Sequence, residues 1–416
     1  MNKIIPLAST MEFLTILILV LTFIALYIFF LFVLLHHRNK HRLFEAPKPL
    51  REYGITVLVP AFNEEETIAG TVEALFESDY HGLKKVIVIN DGSKDNTKKV
   101  LEKLKLRFKN LEIINKLNSG KADSLNCALK MVNTELFAVV DADSYPKKDA
   151  LSNIVGFFND PNMGVVSSAI LIRTKKNLLL KIQNYEYDII VWTRKLLDFV
   201  NGVFVAPGAL SVYRTVPVKK FGGFDKTNIT EDIEITWHLL HNGYKTAMAL
   251  KSISYTEAPD NLKALWNQRI RWGMGGIQTL LKYKSDFLKK GAFGMFIYPF
   301  VMLSILTSYI IVFLTAFIAI QGLIRTFFVA KYSFESNTLA SFDFLNFSPS
   351  VLLLIGFSLF ILSLFFFFVG MKLIDSGELK LRNVFNVSFY LLIYAMVYPV
   401  VWIGAAIKMI TRNSKW

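Results

Sequence analysis

The chain has 416 residues, 53% of them hydrophobic, and a mean hydropathy of +0.40. This composition excludes an ordinary soluble enzyme and favours a membrane-associated protein. The net charge of +14 does not indicate nucleic-acid binding, because much of the basic excess lies beside apolar runs and no nucleic-acid-binding motif is present. The single cysteine, Cys127, excludes an intramolecular disulfide and a cysteine-based metal cluster.

The first predicted element is an uncharged apolar run over residues 13–35, longer than the about 20 residues that span a bilayer. It is too long for a signal peptide and lacks a small-residue cleavage pattern, and its basic cluster (36–42) follows it. We therefore expect residues 1–51 to form a transmembrane helix with a basic juxtamembrane segment. The basic cluster places the next region in the cytoplasm.

Residues 52–260 alternate between strand-like and helix-like patterns. Apolar, β-branched runs predict strands at 55–61, 85–91, 111–116 and 136–143, and helical periodicity follows each of them. This alternation predicts an α/β fold with a parallel sheet covered on both faces. Ligands of such sheets bind beyond the carboxyl ends of the strands, where polar residues cluster in this sequence.

Asp141 and Asp143 end the fourth predicted strand and, being two residues apart, are expected to point the same way. Their paired carboxylates suit Mg²⁺ or Mn²⁺, which would bridge nucleotide phosphates. The alternative is a loop in which the aspartates cap the next turn. Asp91 and Gly92 follow the second strand, where the carboxylate suits a base or a ribose, or the pair simply forms a tight turn.

Glu231 and Asp232 lie in the first turn of a predicted helix. A carboxylate at the edge of a crevice can take a proton from a sugar hydroxyl, whereas acidic residues in a first turn also stabilise the helix dipole. Both interpretations stay open from the residues alone.

Residues 261–291 predict amphipathic helices at the membrane interface, and residues 292–416 predict a membrane region of about three spans. The interface segment contains Gln268, Arg271 and Trp272, which either tether the helix to lipid or belong to a site. The span count and the placement of the termini stay open. Some polar and aromatic side chains of this region are candidates for a glycan path or for ordinary helix packing: Ser304, Thr307, Ser308, Tyr309, Asn386, Tyr390, Tyr394, Tyr398 and Trp402.

Seven motifs occur in the order found in family 2 glycosyltransferases: TVLVPAFNEEETI, VINDGSKDNT, SGKADSLNCAL, VVDADSYP, PGALSVYR, TEDIEITW and QRIRW. The last resembles the Gln-x-x-Arg-Trp motif of the processive membrane branch, which includes cellulose, chitin and hyaluronan synthases. Chain length and the short C-terminal membrane part look most similar to bacterial poly-N-acetylglucosamine synthases. The resemblance implies a GT-A (Rossmann-like) cytosolic domain between an N-terminal transmembrane helix and a C-terminal membrane bundle.

The resemblance also implies residue roles. Asp232 matches the catalytic base, Asp141 and Asp143 match the donor and metal (Mg²⁺ or Mn²⁺) aspartates, and Arg271 matches the diphosphate-binding arginine. The remaining donor-binding or acceptor-positioning residues are Pro60, Ala61, Asn63, Glu64, Asp91, Lys121, Gln268 and Trp272.

The implied activity is inverting, processive transfer of a sugar from a UDP-sugar, UDP-N-acetylglucosamine first among them, to a growing β-linked glycan. The enzyme would be a multi-pass protein of the plasma membrane in contact with lipid. Its small membrane part leaves room for a small membrane partner subunit. The alternatives are a transferase that adds one sugar to a lipid acceptor, and a non-catalytic membrane scaffold.

Overall fold

The computed structural model describes residues 7–289, 291–335, 351–374 and 381–411. The strands are β1 (Ile55–Ala61), β2 (Leu83–Asp91), β3 (Leu111–Lys116), β4 (Leu136–Val139), β5 (Ser144–Pro146), β6 (Met163–Ile172), β7 (Ser211–Arg214) and β8 (Lys245–Thr256). The α-helices are α1 (Leu7–Asn39), α2 (Ile68–Phe76), α3 (Thr97–Arg107), α4 (Lys121–Leu129), α5 (Ser152–Val155), α6 (Leu178–Asp198), α7 (Thr215–Lys220), α8 (Glu231–His241), α9 (Leu262–Lys282), α10 (Tyr298–Glu335), α11 (Val351–Ile374) and α12 (Leu381–Ile410).

The eight strands form one sheet in the order β3-β2-β1-β4-β7-β6-β8-β5. The first four strands are parallel, as the alternation predicts. Beyond them the expectation of a parallel sheet holds only for the pairing of β6 with β8, because β7 runs antiparallel to both β4 and β6, and β5 runs antiparallel to β8. The sheet is therefore mixed.

Strand β1 shows why the first half of the sheet is so apolar. All seven of its residues are buried. Val57 and Val59 belong to the core on one face of the sheet, whereas Leu58 between them packs into the core on the other face. Successive side chains of a strand point to opposite faces, so a strand covered on both sides needs an uninterrupted apolar run.

The helices outside this domain pack against it. The apolar residues Phe32 and Leu35 of α1 share a core with Trp192 and Leu196 of α6. Helix α9 packs along α12, where Ile270 and Met274 meet Val401 and Ala405. Within the described part of the chain, two helical segments are long and apolar enough to cross a membrane, at Thr15–Arg42 and Phe293–Tyr332. Shorter apolar helical stretches lie at Gly356–Lys372 and Val397–Ile410.

Candidate active site

The loops that follow β1 and β2 are joined at the carboxyl edge of the sheet. Asn63 donates its backbone N–H to the Ser93 hydroxyl at 3.0 Å, and its side-chain oxygen accepts the backbone N–H of Lys94 at 2.8 Å. Asn63 has a φ of 57°, in the left-handed region that asparagine tolerates better than most residues. It therefore holds the two loops together at the mouth of the crevice.

The other predicted residues of this loop are more buried. Pro60 and Ala61 lie at the buried end of β1, where they pair with Ile89 and Asn90 of β2. The Glu64 carboxylate accepts the Thr67 hydroxyl at 2.6 Å. Burial raises the pKa of Glu64 above its ordinary value.

Asp91 is committed to hydrogen bonds inside the protein. Only 4% of it is exposed, and its two oxygens accept the backbone N–H groups of Ser119 at 3.0 Å and Gly120 at 2.9 Å. The Lys116 ammonium lies 2.7 Å from the carboxylate. Asp91 thus fixes the loop before α4 against the end of β2, and its contact with a base stays a prediction.

Lys121 and Asp141 are brought together, with Glu231 as a third partner. The Lys121 ammonium lies 2.6 Å from an Asp141 oxygen and 2.8 Å from a Glu231 oxygen. Burial alone would lower the pKa of Lys121, but the two carboxylates raise it above its ordinary value, so the ammonium stays charged. One lysine therefore bridges the loop after β4 and the start of α8.

Gly208, to which the sequence pattern assigned no role, makes this bridge possible. Its carbonyl accepts the backbone N–H of Asp141 at 2.8 Å. A Cβ at position 208 would lie 2.5 Å from an Asp141 carboxylate oxygen and 2.7 Å from the Lys121 nitrogen. The PGALSVYR motif was its only signal in the sequence.

Asp143 lies among other acidic groups. Strand β4 ends at Val139, so the expectation that Asp141 and Asp143 end this strand is wrong, and both lie in the segment beyond it. Burial, reinforced by Asp141 and Glu64, raises the pKa of Asp143 to about 7. In the residues that the structure describes, no cluster of three or more His, Cys, Asp or Glu side chains is assembled for a metal. Two carboxylates still fit Mg²⁺ or Mn²⁺, because Mg²⁺ sites commonly combine one or two carboxylates with substrate phosphates and water.

Asp232 lies in the first turn of α8. Burial, reinforced by the adjacent Glu231, raises the pKa of Asp232 to about 6. Burial also lowers the pKa of Arg194 on α6 to about 10, against the opposing effect of Asp232. A half-buried carboxylate with a pKa near neutrality has the properties of a general base.

Helix α9 carries the Gln-x-x-Arg-Trp motif and braces α8. The Thr279 hydroxyl lies 2.9 Å from the Asn228 amide nitrogen, and the Gln278 side chain accepts the backbone N–H of Ile229 at 3.0 Å. The Lys282 ammonium reaches Glu234 of α8 at 2.6 Å. These bonds fix the segment that leads into Asp232.

The motif residues themselves differ in exposure. Arg271 is exposed, whereas Gln268 and Trp272 are half-buried. Trp266 is 38% exposed, consistent with a surface tether. Arg269, to which the sequence pattern assigned no definite role, is 4% exposed and forms a buried ion pair with Glu186.

A cavity of about 230 Å³ is lined by Trp272 and by residues of the helices α8, α9, α10 and α12. Of the residues considered for a glycan path, Ser304, Tyr398 and Trp402 line it. The Ser304 and Ser308 hydroxyls also donate to carbonyls of their own helix, as in ordinary helix packing. The side chains of Asn386 and Tyr394 lie outside the described residues.

Comparison with known proteins identifies the family of the chain. Residues 52–275 match the family described as glycosyltransferase like family 2, so the chain belongs to glycosyltransferase family 2 and is an enzyme of that class. It is 30% identical over 296 residues to the poly-beta-1,6-N-acetyl-D-glucosamine synthase of Staphylococcus epidermidis, covering 70% of this chain and 71% of that protein. The synthase of Staphylococcus aureus strain COL is 33% identical over 261 residues, or 62% of this chain and 63% of that protein.

A solved structure confirms the fold. A mannosyltransferase from Pyrobaculum calidifontis, in complex with GDP-Man and Mn²⁺, aligns with a TM-score of 0.60 at 18% identity, covering 94% of this chain and 98% of that one. The fold is therefore GT-A-like.

Proposed function

We propose that this enzyme transfers N-acetylglucosamine from UDP-N-acetylglucosamine to the end of a growing β-linked glycan, with inversion and in a processive manner. The observation that carries the proposal is the 30% identity to a poly-beta-1,6-N-acetyl-D-glucosamine synthase over 70% of the chain. The carboxylates and lysine at the strand ends support a nucleotide-sugar site at that edge.

Asp232 is the proposed base. It takes the proton of the acceptor hydroxyl as that oxygen bonds to the anomeric carbon from the face opposite the leaving group. The bond from the anomeric carbon to the phosphate oxygen breaks, and its electron pair leaves with UDP. With a pKa of about 6, Asp232 is ionised at neutral pH and still basic enough to accept the proton.

The leaving diphosphate needs positive charge. The exposed Arg271 guanidinium is the proposed partner, because its planar fork pairs with two phosphate oxygens at once. Asp143 and Asp141 are the residues that would hold Mg²⁺ or Mn²⁺, and the metal would supply further charge stabilisation for the diphosphate. Asn63, Glu64, Asp91 and Lys121, with Pro60 and Ala61, are proposed to shape the nucleotide end.

We place the catalytic domain on the cytoplasmic side of the plasma membrane, with α1 and α10 crossing the bilayer. The length and apolarity of Thr15–Arg42 and Phe293–Tyr332 support this placement. Basic residues directly after α1 support the orientation. Residues 261–291 are proposed to form the interface segment between the catalytic domain and the C-terminal membrane region.

The cavity lined by Trp272 favours one alternative function, the addition of a single sugar to a lipid acceptor. Its lining includes Phe204, Ile233, Phe300 and Val401, and an apolar space of this kind suits the hydrocarbon part of a lipid acceptor that receives a single sugar.

To test the proposed function, purified enzyme in lipid is incubated with each of a panel of labelled UDP-sugars and Mn²⁺ or Mg²⁺. We expect UDP release with UDP-N-acetylglucosamine and a ladder of chain lengths. A product with one sugar on lipid would overturn processivity, and release from another donor only would overturn the sugar.

A further inference from the structure

One guanidinium group contacts two residues of the Gln-x-x-Arg-Trp motif. Arg269 donates to the side-chain oxygen of Gln268, and its guanidinium carbon lies 4.1 Å from the centre of a Trp272 ring. At this distance a cation is attracted electrostatically to the indole face. The orientation of both motif side chains is therefore tied to the position of Arg269.

Arg269 is in turn held by a carboxylate from another helix. Its Nη2 donates to Glu186 of α6 at 2.7 Å, with 4% of the arginine side chain and 1% of the glutamate side chain exposed. The other Glu186 oxygen accepts the Tyr398 hydroxyl of α12. Three helices thus meet at one carboxylate, which holds the Arg269 guanidinium through its Nη2.

Stability alone is a weak reason for this arrangement. A buried ion pair costs much desolvation free energy, and well-packed apolar residues often give equal or greater stability. Orientation is a different matter, since a planar guanidinium held by a carboxylate is pre-organised and loses little further freedom when a ring stacks on it. Arg271, two residues along the same helix, is exposed.

We propose that Glu186 and Arg269 are a positioning pair that fixes the Trp272 ring and the Gln268 amide for the acceptor sugar. The inference rests on the proposed function in one respect, namely that Trp272 contacts the acceptor. Neither member of the pair is a catalytic residue, because both act through Trp272 and Gln268.

A double-mutant cycle tests the pair. Arg269→Lys keeps the charge but loses the planar fork, and it is combined with Trp272→Ala. Sugar transfer at saturating donor should fall about tenfold with Arg269→Lys alone and by less than about twofold when the change is added to Trp272→Ala. The KM for the donor should stay unchanged. An equal loss in both backgrounds would overturn the proposal.

Asp198→Asn is the matched control. It disrupts another buried ion pair of α6, the helix that carries Glu186. In this pair the Lys195 ammonium lies 2.7 Å from Asp198, and the side chains are 2% and 12% exposed. It should reduce transfer by the same factor in the wild-type and Trp272→Ala backgrounds, since a general loss of stability does not depend on the indole. Coupling to Trp272 as large as that of Arg269→Lys would contradict the assignment.

A spectroscopic measurement separates this inference from the proposed function. Acrylamide quenching of Trp272 emission is obtained as the difference between wild type and Trp272→Phe, with and without Arg269→Lys. We expect a higher quenching constant when the stacking guanidinium is lost. Unchanged quenching would overturn the proposed positioning pair even if the enzyme makes polymer. Increased quenching without polymer synthesis would overturn the proposed function and leave the positioning pair supported.

Discussion

Gly275 of α9 lies directly against Thr230, the residue that precedes α8. A Cβ at position 275 would overlap the Thr230 hydroxyl, so the two helices approach each other as closely as glycine permits. Asp232 follows two residues later, and this contact therefore sets the distance between the proposed base and the motif helix.

Gly275→Ala should displace the start of α8. Forcing an extra carbon into a packed contact costs about 1–3 kcal/mol, and a base that moves with its helix loses its alignment with the acceptor. We expect turnover to fall by about 100-fold in a membrane fraction that still contains folded enzyme. Transfer assays and thermal unfolding measure the two effects. Gly322→Ala is the control, since no atom of the described residues lies within 4 Å of a Cβ there. A similar loss in that variant would contradict the packing explanation.

The pH dependence of turnover should report the ionisation of Asp232. A base works only when deprotonated, and the pKa of Asp232 is raised to about 6. Turnover should therefore be high above pH 6 and should fall about tenfold per pH unit below it. The measurement is kcat against pH at saturating donor. A rate that is flat down to about pH 4.5 would show that another group is the base.

Asp232→Asn should greatly slow the reaction and remove that pH dependence. General bases contribute about 10²–10⁴-fold, so we expect a loss of that size while UDP still binds. Calorimetry with UDP and a transfer assay separate binding from chemistry. Asp160→Asn, which disrupts a partly exposed ion pair with Lys245 at 2.8 Å, should leave turnover near wild type. Loss of UDP binding in Asp232→Asn would point to a structural role.

Asp143 should govern metal affinity. Removing one charged ligand costs about 1.5–3 kcal/mol, so Asp143→Asn should weaken Mn²⁺ binding in the presence of UDP about 10- to 100-fold. Electron paramagnetic resonance of free Mn²⁺ measures this without any transfer. Asp149→Asn provides the comparison, because this exposed carboxylate contacts only its neighbour Asn153 among the bonds described. Equal affinities in the two variants would remove Asp143 from the metal site.

The orientation in the membrane is testable through the single cysteine. In a Cys127→Ser background, Lys98→Cys places a thiol at an exposed position of α3. A membrane-impermeant maleimide should label it in inverted vesicles and not in intact cells. Labelling of Lys98→Cys in intact cells would reverse the topology.

The sheet was predictable where burial alone determines the pattern. The runs that became β1 and β2 are apolar because both of their faces are covered, and this leaves a strong signal in a single sequence. Strand β7 has four residues, and its antiparallel pairing with β4 depends on a connection of more than 70 residues. Neither its direction nor its neighbours could be read from so short a run.

The types of residue in the site were predictable from the sequence, but most of the contacts between those residues were not. Carboxylates beyond the strand ends indicated the crevice. The ion pair between Lys121 and Glu231 joins residues 110 positions apart, and sequence periodicity carries no information on contacts over such a separation. Arg269 shows the same limit. An arginine in an amphipathic stretch looks like a lipid tether, and only its contact with Glu186, 83 positions earlier, reveals a buried ion pair.

The bonds between α9 and α8 bear on how the enzyme can be divided. Thr279, Gln278 and Lys282 lie beyond residue 260, where the sequence places the end of the catalytic domain, yet they hold the segment that carries Asp232. A fragment of residues 52–260 would retain every strand that the structure describes and every acidic motif. It would lack the part of α9 that orients its base. We therefore expect such a fragment to keep nucleotide binding and to lose sugar transfer.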